Sequence, residues 1–302
     1  MSTADTLVVG LGSIGNRHAR LLHDMGRRVA TVSRRAEGTY ESIEHALGAC
    51  KPDYIVVATE TSRHAEDLHS IGRAGYRNKI LVEKPIFTSM ADASSPSTAR
   101  LHVGYNLRFH PVISELRRVL PEERTLAASA YVGQNLKSWR PERDYRKTSS
   151  ASRAAGGGVL RDLSHELDLL LWLLGSWQGV VGLSQNTRTL EIDVEDSMAL
   201  LLRMERCGQV SLSMNYLDHS THRTMRFVQE TRTIVADLVA STLTVGQDVR
   251  KFPLARDETY ITMHSAALND GEGLCGWDEG LEVVRLMEAA ENSIATHGWV
   301  LR

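Results

Sequence analysis

Between Gly156 and Gly175 the chain reads GGGVLRDLSHELDLLLWLLG, in which three glycines precede Asp162, His165, Glu166 and Asp168. Carboxylates and an imidazole at this spacing could transfer protons, ligate a metal or simply form a polar helix entry. A metal fits poorly, since HELDL is not HExxH and no second His stands nearby. On a continuous helix over 160–174, at about 100° per residue, Leu160, Leu163, Leu167, Leu170, Leu171 and Leu174 form one packing stripe. Asp162 and His165 fall on the opposite side, three residues apart and therefore neighbours that can reach one ligand together. Leu169, Trp172 and Leu173 continue that side, so the helix is expected to be buried, polar only at its entry, and to line a cavity. An imidazole facing such a cavity can take or return a proton near neutral pH, as oxidation of an alcohol or reduction of a ketone requires. Asp168, also three residues from His165, is either its partner or paired with an Arg on the surface.

A second cluster lies near the start. Gly10, Gly12, Ser13, Ile14 and Gly15 form GLGSIG, directly after the apolar run Leu7, Val8, Val9 and before a helical pattern. In a GxGxxG loop the first glycine makes the turn, the second admits a pyrophosphate, and the third lets helix and strand pack closely. The helix start then offers backbone N–H groups to the phosphates. At the end of the second strand an NAD-preferring site would carry Asp or Glu for the ribose hydroxyl. Ser33, Arg34 and Arg35 stand there instead, and a hydroxyl with two guanidinium groups suits a 2′-phosphate, which favours NADP over NAD. The alternative is a solvated basic loop. Ahead of the His165 helix, Trp139, Arg140, Asp144, Tyr145 and Arg146 could reach the same cavity as His165, with Arg140 and Arg146 suited to an anionic sugar substituent or, equally, forming a solvated loop.

The elements that must position these residues follow two patterns. Through the first hundred residues or so, short apolar runs (TLVVGLG, RRVATVS, DYIVVATE, KILVEKP, LHVGYNL) alternate with helical patterns, which predicts a doubly wound parallel sheet of the Rossmann type. Residues 86–100 read as a trimmed connection. Beyond Pro111 a helix, VISELRRVL, leads to a strand and a polar loop, and after the His165 helix come β-type runs from GVVGLSQNTR to TLTVGQD. These predict an α+β domain with a large, mostly antiparallel open sheet, closed by the amphipathic helix WDEGLEVVRLMEAAENSIAT. The boundary is placed between residues 107 and 108, giving a dinucleotide-binding domain over 1–107 and a second domain over 108–302, to which the resemblance described below assigns substrate binding and oligomerisation.

Composition excludes several classes. In 302 residues, 35 Lys+Arg against 37 Asp+Glu produce no global field to attract nucleic acid or an anionic membrane. Cys50, Cys207 and Cys275 form no CxxC pair and read as reduced and structural. The opening MSTADTLVVG lacks a basic stretch before a long apolar segment, and no run of about 18 apolar residues occurs, so a cytoplasmic protein is expected.

Four stretches in order, GLGSIGNRHAR, ATETSRHAE, VEKPI and GGGVLRDLSHELD, resemble the Gfo/Idh/MocA family of nicotinamide-dependent sugar and cyclitol oxidoreductases. GYNLRFHPV and the closing helix extend the resemblance over essentially the whole chain, and YVGQNLKSWRPERDYR with DLSHELD is similar to members associated with bacterial surface sugars. The resemblance implies NAD(P) at the glycine loop and Lys84, between Glu83 and Pro85, beside the nicotinamide. A Lys at the carboxyl end of a parallel strand is already placed for ligand contact. It further implies that Thr59, Thr61 and His64 line the cofactor, with His64 ordering its loop, and that Asn106 and Arg108 lie near nicotinamide and substrate. His165 would be the acid/base on the substrate hydroxyl, with Asp162 assisting. Asp162, however, stands three residues before His165 where the family pattern has four, with Arg161 in the usual place. The expectation is an NADP(H)-dependent enzyme acting on CH–OH groups of a sugar-type substrate without a metal, forming a homodimer or homotetramer through the open sheet. Family members that recycle a tightly bound NAD within one turnover, as epimerases or glycosidases, or that sense ligands without catalysis, are the alternatives.

Overall fold

The computed structural model describes residues 4–34, 38–93, 99–139 and 141–302. Its contacts divide the chain into two units, one of residues 1–109 with 256–284 and the other of 110–255 with 285–302. The chain thus crosses between units three times, whereas a single boundary near residue 107 was expected from the sequence.

In the first unit, the described residues form a six-stranded sheet whose spatial order is Cys275–Gly276, Arg100–Val103, Lys79–Val82, Tyr54–Val57, Thr6–Val9 and Val29–Val32. The last five pair in parallel, with Thr6 opposite both Val29 and Tyr54 and Lys79 opposite both Tyr54 and Arg100. Only the short Cys275–Gly276 strand runs antiparallel. Strands covered on both faces need apolar side chains throughout, and TLVV and YIVV are buried at every position. Helices Ser13–Asp24, Ile43–Ala49 and His64–Arg73 follow successive strands, as the alternating pattern predicts. A three-residue turn, Met90–Asp92, is the helical element among the described residues of 86–99, so the trimmed connection is observed. Helix Glu258–Leu268 was not anticipated; it returns to the first unit, where Met263 and Ala267 join the core of Val8, Leu22, Tyr54, Val56, Ala58 and Leu81.

The second unit holds a nine-stranded sheet running Asp248–Lys251, Thr242–Val245, Thr233–Asp237, His222–Gln229, Thr125–Gly133, Cys207–Asn215, Ser197–Met204, Trp177–Gln185 and Val300–Leu301. All neighbours are antiparallel except Thr125–Gly133 with Cys207–Asn215. One face is buried, as strand Ser197–Met204 shows by alternating Met198, Leu200, Leu202 and Met204 inward with Ala199, Leu201 and Arg203 outward.

The expected continuous helix over 160–174 is interrupted. A first turn covers Val159–Asp162 and the main helix covers His165–Leu174. Between them the bonding tightens to three-residue steps, Ser164 N to Arg161 O and Glu166 N to Leu163 O. The leucine stripe survives, because Leu160, Leu163, Leu167, Leu170 and Leu174 are all buried, with Leu171 half-buried. The angular argument that made Asp162 and His165 neighbours does not survive, since it assumed one unbroken helix. Asp168 is buried, so a place on the surface is also ruled out for it.

Candidate active site

In the first unit the glycine loop has the geometry its spacing implies. Gly10 adopts φ +93°, and a Cβ there would lie 2.8 Å from the Ala58 carbonyl and the Thr59 nitrogen. Gly15 is pressed against the Gly10 carbonyl, leaving no room for a side chain. Around Gly12 the reverse holds: a Cβ would meet nothing within 4 Å. Gly12 is the N-cap of helix Ser13–Asp24 and makes no side-chain cap hydrogen bond to the N–H groups at the start of the helix. An open, uncapped helix start above a closed turn fits the pyrophosphate of a dinucleotide.

The loop after the third strand and the Lys84 turn are tied together by His64. This imidazole is fully buried, with Nδ1 3.0 Å from the Ile86 carbonyl and 3.2 Å from that of Pro85, and Nε2 3.2 Å from the Thr59 carbonyl. Burial holds it below the usual imidazole range even though the Ile86 and Thr59 carbonyls pull the other way. Thr59 donates to Asp67 Oδ2 at 2.6 Å, and Thr61 opens the short turn Thr61–Arg63. Lys84 is half-buried, follows the strand Lys79–Val82, and precedes Pro85 through a cis peptide bond. Its backbone N–H donates to Glu83 Oε2 at 3.2 Å, and Glu83 Oε1 lies 2.8 Å from His18 Nε2. Burial alone would raise the Glu83 carboxyl, yet the His18 hydrogen bond and the Lys84 charge bring it below the ordinary range.

Ser33 and Arg34 follow the second strand, and Arg34 is exposed, 3.9 Å from Glu66 Oε1. Arg35 and Arg140 lie outside the described residues. Asn106 donates to Thr259 Oγ1 at 2.7 Å, while buried Arg108 bonds Glu279 Oε1 at 3.0 Å and the Leu274 carbonyl at 3.3 Å. Both therefore tie the turn Asn106–Phe109 to the returning segment.

The second unit gathers a different set. His165 and Glu166 open the main helix, and both are buried. Asp162 accepts a hydrogen bond of 2.7 Å from the Tyr216 hydroxyl, whose ring lies edge-on to Trp139 at 5.3 Å. Burial, with the Asp162 carboxylate adding to it, lifts the Tyr216 phenol well above its ordinary range, so Tyr216 remains a donor. The Trp139 indole N–H is buried and has no acceptor among the described residues. Glu195 Oε1 takes the Leu160 N–H at 3.2 Å, and its carboxylate occupies the space a side chain on Gly158 (φ +111°) would need. Glu166 pairs with Arg223 at 2.8 Å. Tyr216, Glu195 and Arg223 were not anticipated, because their partners are distant in sequence and no local spacing marks them. Tyr145 receives the Glu191 N–H at its hydroxyl, and Arg146 is already paired with Asp144 at 2.8 Å and Glu191 at 3.3 Å. Among the described residues no group of three or more His, Cys, Asp or Glu is arranged to hold a metal.

Residues 5–99 match the family described as the oxidoreductase family with an NAD-binding Rossmann fold, and residues 128–235 match its Gfo/Idh/MocA C-terminal domain. The chain belongs to the Gfo/Idh/MocA oxidoreductase family. Within that family it is 28% identical over 187 residues to inositol 2-dehydrogenase of Rhizobium meliloti (strain 1021), covering 56% of this chain and 54% of the relative. The chain thus matches about half the length of that curated relative. In fold it is similar to GenD2 from gentamicin A biosynthesis in complex with NAD, with a TM-score of 0.82 and 21% identity over 100% of this chain and 97% of that one. It is likewise similar to the WlbA dehydrogenase from Bordetella pertussis in complex with NADH and UDP-GlcNAcA, with a TM-score of 0.80 and 19% identity over 99% of each chain. At such identities the likeness is one of fold. No helix among the described residues is long and apolar enough to cross a membrane.

Proposed function

We propose that this chain transfers a hydride between NADP(H) and a hydroxyl or ketone carbon of a sugar or sugar derivative. The observation that carries the reading is the open Gly12 face at an uncapped helix start, in the unit whose His64 joins the Thr59 loop to the Lys84 turn. Bound nicotinamide cofactor supplies the hydride acceptor or donor. Backbone groups at Gly12, Ser13 and Ile14 hold its pyrophosphate, and Ser33 and Arg34, with Arg35, bind a 2′-phosphate. Lys84 donates a hydrogen bond to the reacting oxygen, and His165 takes or returns its proton. Asp162, which accepts the Tyr216 hydrogen bond, assists from the turn that precedes the main helix. Trp139, Arg140 and Tyr145 contact substrate, whereas Asn106 and Arg108 act by holding their turn.

Nicotinamide absorbance with myo-inositol and UDP-N-acetylglucosamine as probe substrates tests the reaction. Lys84→Met and His165→Asn are each expected to lower turnover by about a hundredfold or more, with cofactor fluorescence titrations unchanged. Undiminished turnover in both variants would sink the assignment. Titration with NADPH and NADH tests the cofactor preference, and equal affinity in the native chain would remove the argument from Ser33 and Arg34.

We also infer a homodimer or homotetramer formed through the outer face of the nine-stranded sheet. Leu201 stands opposite Val181, Leu183 is two residues further along, and Leu301 stands opposite Gly179, so one face carries all of them. Leu183, Leu201 and Leu301 are 75%, 52% and 68% exposed, an apolar surface that a second copy would cover. Sedimentation of Leu201→Glu is expected to show a smaller species than the native chain.

A further inference from the structure

Four side chains of the first unit stand in single file and end beneath the Lys84 turn. The Tyr54 hydroxyl lies 2.9 Å from His264 Nδ1, His264 Nε2 lies 2.8 Å from His18 Nδ1, and His18 Nε2 lies 2.8 Å from Glu83 Oε1. Tyr54, His264 and His18 are fully buried, and Glu83 is 7% exposed. They come from the third strand, the returning helix Glu258–Leu268, the helix Ser13–Asp24 and the end of the strand Lys79–Val82.

Counting donors and acceptors gives the file a direction. An ionised carboxylate only accepts, so His18 donates to it through Nε2. If Tyr54 donates to His264 Nδ1, then His264 Nε2–H donates to His18 Nδ1, and every proton in the file has an acceptor. In the reverse direction the Tyr54 hydroxyl proton would need another acceptor, and among the described residues that hydroxyl has no partner but His264. A buried donor left unsatisfied is costly, so the first direction is preferred. Burial holds His264 well below the usual imidazole range and Tyr54 well above the usual phenol range. Both groups keep the protonation the file requires. The surroundings are apolar, with Val8, Leu22, Val56, Leu81 and Met263 in the same core. At the far end Glu83 has no slack: Oε2 receives the Lys84 N–H, and a Cβ on Gly104 would lie 3.1 Å from Oε1.

We propose that Tyr54, His264 and His18 are positioning residues for Lys84, a polarised hydrogen-bond file that holds the Glu83 carboxylate in one orientation and, through it, the main chain from which the Lys84 side chain extends. The proposal rests on the reading of Lys84 as the residue that meets the substrate oxygen. Apolar side chains would fill this core without the cost of burying a carboxylate, two imidazoles and a phenol, and a fully satisfied polar file instead specifies a single arrangement.

Nitrogen-15 NMR of the imidazoles in the full chain tests the direction. Both His18 and His264 are expected as the Nε2–H tautomer, and finding either as the Nδ1–H tautomer overturns the file. Reductive methylation with carbon-13 then reports on Lys84, its resonance assigned by loss in Lys84→Arg. Tyr54→Phe and His264→Gln are each expected to shift that resonance, as well as the His18 nitrogen signals. A role in packing alone would lower the melting temperature and leave the Lys84 resonance in place, and that result in both variants overturns the proposal. Should Lys84→Met retain full turnover, the catalytic reading of Lys84 fails, while the coupling between Tyr54 and Lys84 is still decided by the resonance shift.

Discussion

Gly12 and Gly15 sit in the same loop under opposite constraints, and substitution by alanine should separate them. At Gly15 the new methyl would collide with the Gly10 carbonyl. Overpacking against backbone costs about 1–3 kcal/mol, so Gly15→Ala is expected to lower the denaturation midpoint visibly. At Gly12 the methyl enters open space, so Gly12→Ala should lower the midpoint less than Gly15→Ala, by the loss of a glycine N-cap alone, and weaken cofactor binding in a fluorescence titration. Equal loss of stability in both variants would contradict the division of labour. Tyr216 allows a second test at a single atom. Removing its hydroxyl leaves Asp162 without the 2.7 Å bond, and a bond to a charged acceptor is worth about 1.5–3 kcal/mol. Tyr216→Phe should therefore reduce stability by about that amount at most, because Asp162 is half-buried and water recovers part of the bond.

The short turn Val159–Asp162 depends on an element far along the chain. Glu195 satisfies the Leu160 N–H, and Gly158 provides the positive φ and the clearance that bring them together. This is a helix cap supplied from another segment. Its removal in Glu195→Ala is expected to cost about 1 kcal/mol, read as a lower denaturant midpoint with an unchanged slope. The interruption of this helix could not be read from its pattern, because Leu160, Leu163, Leu167, Leu170 and Leu174 keep helical spacing straight through the break. Helical periodicity reports which side is buried, whereas the tightening at Ser164 is a matter of hydrogen bonds. The parallel strands were legible for the converse reason. YIVV, and Ile80, Leu81 and Val82 of the neighbouring strand, are apolar because both faces are covered, and that requirement is written into each run by itself.

For the whole molecule, acid is expected to weaken the fold in two stages. His64 and His264 are held below the ordinary imidazole value of 6.5 by burial. The unfolded chain therefore accepts protons that the folded chain resists, so their effect on stability is absent above that value and grows as pH falls below it. Each imidazole can contribute a slope of about 1.4 kcal/mol per pH unit at most. Glu83 is lowered from the ordinary carboxyl value of 4.5, so its contribution is present above that value and is lost as pH falls through its folded-state value. Thermal melts should be flat above about pH 7 and decline through the range near pH 6. A midpoint that holds constant down to pH 5 would contradict the burial of the two imidazoles.

Local pattern was sufficient for the Rossmann-type sheet, the open antiparallel sheet, the glycine loop and the placement of Lys84 at a strand end, because each depends on neighbours within a few residues. It was also sufficient for His165 at a helix entry. It did not reveal that residues 256–284 rejoin the first unit, since an 11-residue helix such as Glu258–Leu268 carries no mark of which sheet it will cover. Nor did it reveal the partners of Asp162 and His18. Tyr216 is 54 residues from Asp162, and His264 is 246 residues from His18. A hydrogen bond depends on distances of about 3 Å and on direction, and the folded chain sets both only after distant segments have packed together.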